Sequence, residues 1–142
     1  MAKIYRYQKI TDEYCTYIPR GEDITELCVL DGYTYISVPE EGLCEDQPEQ
    51  IVIEPVVLTP EQIEQIKAAS PHCRLIYQRM QDKIREKYCD EDEKYLTRIA
   101  VGSLAGWYTL QTGELEQIMA FQEFVEGVRE WGRAERAKLG IC

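Results

Sequence analysis

The chain changes character at one point, between Leu58 and Thr59. Before it, short β-prone runs alternate with Gly and Pro. After it, the spacing is helical. Thr59-Pro60-Glu61-Gln62 is a strong helix start: Thr59 supplies a cap, Pro60 takes the first helical position, and Gln62 completes a capping box. Leu58 and Ile63 stand at the positions of a hydrophobic staple. A chain that keeps its β runs on one side and its helices on the other belongs to the α+β class. The expected architecture is an N-terminal β-hairpin or extended arm (residues 1–58), followed by a small antiparallel helical bundle (residues 59–142).

Within residues 1–58, Ile4, Tyr5 and Tyr7 form one β-prone run. Tyr14-Cys15-Thr16-Tyr17-Ile18 forms a second, stopped by Pro19. The clearest signal is Leu27-Cys28-Val29-Leu30, then Asp31-Gly32, then Tyr33-Thr34-Tyr35-Ile36. Asp-Gly between two such runs suits a type I′ hairpin, whose central residues both need positive φ. Pro39 ends the hairpin, and residues 40–50 read as an acidic loop. Ile51-Val52-Ile53 is a further strand candidate, and Pro55 implies that it sits at a sheet edge or runs extended.

After Leu58, Ser70-Pro71 interrupts the first helix and caps a second. There Ile76, Met80, Ile84 and Tyr88 form one stripe, with Cys73 and Leu75 beside it. Arg74, Arg79, Lys83, Arg85 and Lys87 take the other face. Asp90 is placed to cap a third helix with Glu93 at the box position, and acid in that first turn complements the helix dipole. Tyr95, Leu96, Ile99, Ala100 and Leu104 are expected to face inward. Thr112-Gly113 reads as a turn. A long last helix then buries Leu115, Ile118, Met119, Val125, Val128 and Trp131, with Gly140 as its left-handed stop. The short connections favour antiparallel packing. Trp107 and Trp131 are expected on two different helices, both in the core. Trp131, with Phe121 and Phe124 upstream, is alternatively an oligomer contact.

Charge narrows the function classes. The net charge of the 142 residues is −10. Residues 1–58 hold twelve acidic and four basic side chains, a net −8, and the remaining fourteen and twelve give −2. Such a surface repels a phosphate backbone, so nucleic acid is disfavoured as a partner. No stretch approaches a membrane span, and Met1-Ala2-Lys3-Ile4-Tyr5-Arg6 lacks the apolar region of a signal peptide. Without such a signal, Cys15, Cys28, Cys44, Cys73, Cys89 and Cys142 read as free thiols. No CxxC occurs to suggest a zinc or redox site.

No motif organises a reaction. His72 is the one histidine and reads as a surface residue at a helix start. Asp90-Glu91-Asp92-Glu93 lacks an EF-hand pattern and is explained as a helix N-terminus. GxxxxGK[ST] and GxGxxG are absent, and Gly102-Ser103-Leu104-Ala105-Gly106 resembles a nucleophile elbow only superficially. The expectation is a non-enzymatic protein with no catalytic residue, no metal and no cofactor. The tyrosines say more. Six of ten lie in residues 1–58: Tyr5, Tyr7, Tyr14, Tyr17, Tyr33 and Tyr35. Aromatic rings with a polar tip suit interface cores, so these six and Trp131 are the candidate partner-binding residues; Tyr33 and Tyr35, on one face of a strand, read alternatively as a half-buried hairpin face.

Ile84-Arg85, Tyr88, Asp92-Glu93, Leu96 and Arg98 carry a resemblance, continued by Phe124-Val125-Glu126, Arg129 and Lys138-Leu139-Gly140. Over roughly residues 58–140 the chain resembles small bacteriophage proteins of the tail and tail-fibre region. The resemblance implies a virion component or assembly factor, in the virion tail or in the host cytoplasm during assembly. Its partners would be tail-fibre or baseplate subunits, and a homo-oligomer is compatible. The alternative reading is an acidic inhibitor of a host nucleic-acid enzyme that mimics a duplex. A third is a small enzyme using Cys/His chemistry.

Overall fold

A computed structural model describes residues 2–141; Cys142, one of the six expected free thiols, lies outside the described residues. The fold is α+β: antiparallel strands first, then four helices. Two compact units form, Met1–Ile76 with Arg133–Cys142, and Tyr77–Gly132. The change at Leu58–Thr59 therefore marks a switch of secondary structure, while compaction divides the chain inside two of its helices.

The first unit is built on four strands, β1 (Lys3–Tyr7), β4 (Thr25–Leu30), β5 (Tyr33–Val38) and β6 (Glu54–Pro55), ordered β4-β5-β1-β6 and antiparallel. A separate small hairpin pairs β2 (Ile10–Thr11) with β3 (Thr16–Tyr17). The Asp31-Gly32 hairpin joins β4 to β5 as expected, with φ of 51° and 80° at its two central residues.

This sheet is a folded core and not an extended arm. Side chains alternate across a strand. Ile4 and Tyr35 accordingly join one cluster, while Tyr7, Ile36 and Val38 join another. The first face is covered by Ile63 and Ile66 of α1 (Pro60–Ala69), by Cys73 and by Ile141. The second is covered by Ile24, Leu43, Ile51 and Ile53. With both faces packed, β5 has five consecutive buried residues, Thr34 to Val38. A bulge between Glu26 and Cys28 lets two adjacent residues, Leu27 and Cys28, join the same cluster. Ile51-Val52-Ile53 is not a strand. β6 forms just beyond it, at the sheet edge that Pro55 requires.

The helix starts follow local chemistry. Gln62 N–H donates to Thr59 Oγ1 at 3.2 Å, and Thr59 N–H to Gln62 Oε1 at 2.9 Å, completing the box before α1. Ser70 links α1 to α2 (Pro71–Lys87) through its backbone, and among the described residues its buried hydroxyl supplies no cap bond. Before α3 (Asp90–Ala105) the cap is Cys89 and not Asp90. Asp92 accepts the Cys89 N–H at 3.3 Å, so the box sits one residue earlier than expected, and Asp90 pairs with Arg85 instead.

In the second unit, Leu96, Ile99 and Phe121 form the core, with Tyr88, Ile118 and Val125 against it. Tyr88 meets Phe121 edge-on, with ring centroids 5.0 Å apart. Tyr95 and Leu104 of α3, and Leu115 and Met119 of α4 (Glu114–Lys138), were expected inside but are exposed. The buried stripe on each helix is narrower than the apolar residues available to it. Trp107 is on no helix: Gly106, at φ 82°, ends α3 before it, and the ring is exposed. Gly132 of α4 is buried because a Cβ there would lie 2.3 Å from Met80 Sδ of α2. Gly132→Ala should therefore overpack this crossing and lower stability by about 1 kcal/mol, a modest value because methionine is flexible. Urea unfolding of the variant against the parent chain measures it.

Candidate interaction groove

The structure scatters the seven aromatic residues expected to bind a partner. Tyr7 and Tyr35 are 2% and 4% exposed. Their rings fill the two cores of the sheet, so they offer no surface to a partner, which corrects the expectation for both. Tyr5 and Tyr33 are half-buried against opposite faces. The Arg6 guanidinium lies 4.4 Å over the Tyr33 ring and is held 3.1 Å from Glu54. Tyr17 is half-buried and donates its hydroxyl to Asp12 Oδ2 at 2.7 Å. Asp12 Oδ1 also accepts the N–H groups of Tyr14 and Cys15, each at 2.8 Å. These bonds, led by that of Tyr17, hold the Asp12 carboxyl down at about 2 and push the Tyr17 phenol up to about 12. Tyr14, at 92% exposure, is the freely presented ring of this turn. The six tyrosines do not share one face.

The potential chemistry is likewise dispersed. His72 is exposed while its neighbour Cys73 is buried in the first-unit core, so the two side chains do not converge. Burial pushes the Cys73 and Cys28 thiols up, away from the reactive thiolate. Among the described residues no three His, Cys, Asp or Glu side chains are grouped to hold a metal ion.

One buried carboxylate escaped the sequence reading. Glu114 opens α4 and is 6% exposed. It accepts hydrogen bonds from the Tyr95 hydroxyl at 2.5 Å, the Tyr108 hydroxyl at 2.9 Å and the Gln111 N–H at 2.5 Å. The Tyr95 bond, followed by the Gln111 N–H, keeps this carboxyl below the usual range. Every contact is a donor from its own unit, so the group reads as an anchor for the α3–α4 turn. A glutamate directly after Thr112-Gly113 was the available signal, but one of its two phenol partners, Tyr95, stands 19 residues before it.

One feature that faces outward is a groove of about 450 Å³ between α2 and α4. Phe124, Gly127, Val128 and Trp131 recur at the spacing of one helix face and form its floor. Lys83 and Lys87, one turn apart on α2, form its rim. Lys83 Nζ lies 4.3 Å over the Trp131 ring, and Lys87 Nζ lies 4.6 Å over Phe124. Trp131 is thus the one expected partner-binding residue that lines a groove in the second unit.

Gly127 separates this groove from ordinary helix packing. A mid-helix glycine costs about 0.5–1 kcal/mol relative to alanine. Gly132 has a reason in Met80, and Gly102 has one in the indole of Trp107, 2.9 Å from where a Cβ would sit. At Gly127 nothing lies within 4 Å of a built Cβ. Among the described residues no contact requires the glycine there; its effect is a deeper floor between Phe124 and Trp131. Chemically the groove offers aromatic surface under two cations, with one carboxylate, Glu123, among its lining residues and no thiol, imidazole or hydroxyl. It suits an apolar side chain flanked by a carboxylate.

No protein-family model, no curated protein and no solved structure matches the chain.

Two outcomes follow. Gly127→Ala should raise stability by about 0.5–1 kcal/mol in urea unfolding, the opposite sign to Gly132→Ala. For Glu114 the folded carboxyl titrates below its ordinary 4.5. Its contribution is present above that value and is lost as pH falls through the lower folded value. Between neutral pH and about pH 3, Glu114→Gln should show a flatter stability profile than the parent chain.

Proposed function

We propose that this chain is a non-enzymatic binding protein of a bacteriophage tail, an adaptor or assembly factor that engages tail-fibre or baseplate subunits through the α2–α4 groove. The observation that carries the binding reading is Gly127, which weakens α4 and leaves open space between two lysine-capped aromatic rings. Stability forgone without an internal contact is what a binding floor requires. The tail assignment rests on the resemblance over residues 58–140. The acidic balance argues against a nucleic-acid ligand. No helix among the described residues is long and apolar enough to cross a membrane.

The occupant in this reading is a partner segment with an apolar anchor and a nearby acid. Trp131 supplies the central contact, and tryptophan is the residue type most often found carrying interface energy. Lys83 and Lys87 orient the acid and speed encounter.

The test is co-purification of the tagged chain with recombinant fibre and baseplate subunits of its phage, followed by affinity measurement. Trp131→Ala should weaken binding by about thirtyfold or more, the loss of an anchor worth about 2 kcal/mol. Gly127→Leu should abolish it while the helix signal is kept. Failure to retain any tail subunit, or wild-type affinity with Gly127→Leu, defeats the proposal. Mass spectrometry of purified virions then separates the versions: presence in particles means adaptor, and presence in lysate alone means assembly factor.

A further inference from the structure

A second cavity, of about 510 Å³, lies wholly within the first unit. Lys67 of α1 and Arg133 and Arg136 of α4 surround it, over a floor of Ala134, Ala137 and the fully buried Ile141. No acidic side chain lines it. Lys67 and Arg136 sit in the last turns of their helices, where a cation has a structural explanation in the helix dipole. Lys67 also has Glu64 at 3.0 Å. Arg133 stands more than a turn before the end of α4, is exposed, and forms no ion pair with a described residue. Three cations over an apolar floor focus positive potential on a chain whose net charge is −10.

The same unit carries the complementary charge. Glu40, Glu41, Glu45 and Glu49 are exposed and hold no ion pair among the described residues. Their loop is tied in place. The Gln47 side chain accepts the Arg20 N–H at 2.8 Å and donates to the Cys44 carbonyl at 2.7 Å. Glu22 N–H donates to the Gly42 carbonyl at 2.7 Å. At Gly21 an added Cβ would fall 2.0 Å from that carbonyl oxygen, so the two segments meet more closely than any side chain allows. The loop is thus pre-organised, and holding its acids outward costs little on binding. None of its residues lines the basic cavity.

We propose that the acidic loop of one copy docks into the Lys67/Arg133/Arg136 cavity of a second copy. Each chain then uses two different surfaces, a heterologous contact that closes into a ring or grows as a filament, according to the rotation between neighbours. The contact is separate from the α2–α4 groove and stands whether or not that groove binds tail subunits.

Sedimentation velocity of the full chain, from micromolar to millimolar concentration, reads the association. At about 50 mM salt the chain should self-associate, and about 500 mM salt should dissociate it. Arg133→Glu should weaken association by about tenfold or more. The exposed loop variant Glu40→Lys/Glu41→Lys/Glu45→Lys should do the same from the other surface. Mixing the two variants should restore association as a one-to-one pair, because the acidic loop of the Arg133→Glu chain meets the intact cavity of the loop variant while the reverse pair of surfaces is altered on both sides. Circular dichroism confirms that each variant is folded, and the loop variant alters solvent-facing side chains alone. The inference is overturned if the chain stays monomeric at low salt up to millimolar concentration. It is equally overturned if association ignores both reversals, or if folded variants fail to associate on mixing.

Discussion

The first unit depends on β5 being buried on both sides. A strand with one wet face needs alternation; β5 has Thr34 to Val38 all buried. That requires cover on both faces of the sheet, and the chain supplies it from distant segments. Helical residues Ile63, Ile66 and Cys73 close one face, with Ile141 from beyond the last helix. The loop residues Leu43, Ile51 and Ile53 close the other. Loop 39–53 is therefore a structural layer as well as an acidic surface. Its Leu43, Ile51 and Ile53 side chains pack against the sheet while its exposed carboxylates point to water.

The parts of the fold that were legible in the amino-acid order are those decided within a few residues. Asp31-Gly32 specified its turn because both positions need positive φ. Thr59 to Gln62 specified a helix start because the box closes within four residues. The misreadings arose where distant contacts decide. Tyr7 and Tyr35 looked like interface rings, since nothing local reveals that cover arrives from residues 51 and 66–73 and from Ile141. Leu104 and Met119 looked buried because they are apolar, but both side chains are exposed. The cap of α3 moved by one residue because the Cys89 N–H, which a residue-type rule ignores, found the Asp92 carboxylate. Trp107 was lost to the helix because Gly106 adopts the left-handed conformation one residue before it.

The candidate groove was half visible. Trp131, Phe124 and the lysines of α2 were recognisable as residue types, but their pairing across two helices was not. Gly127 gave no signal at all. A glycine in a helix acquires meaning only when its surroundings are known: at position 132 it admits a methionine, at 102 it admits an indole, and at 127 it admits nothing from the described residues. Comparing the three separates a packing glycine from one that leaves room for something else.

The bulge in β4 has a bearing on how the chain behaves when concentrated. β4 is an outermost strand, and an unbroken outermost strand offers a row of unpaired amides and carbonyls to any neighbour. The extra residue at Leu27 breaks that row and bends it, while turning two apolar side chains inward. The rim of the sheet is thereby a poor template for runaway amyloid-like stacking, so the backbone of a concentrated sample has no ready edge from which to recruit further copies.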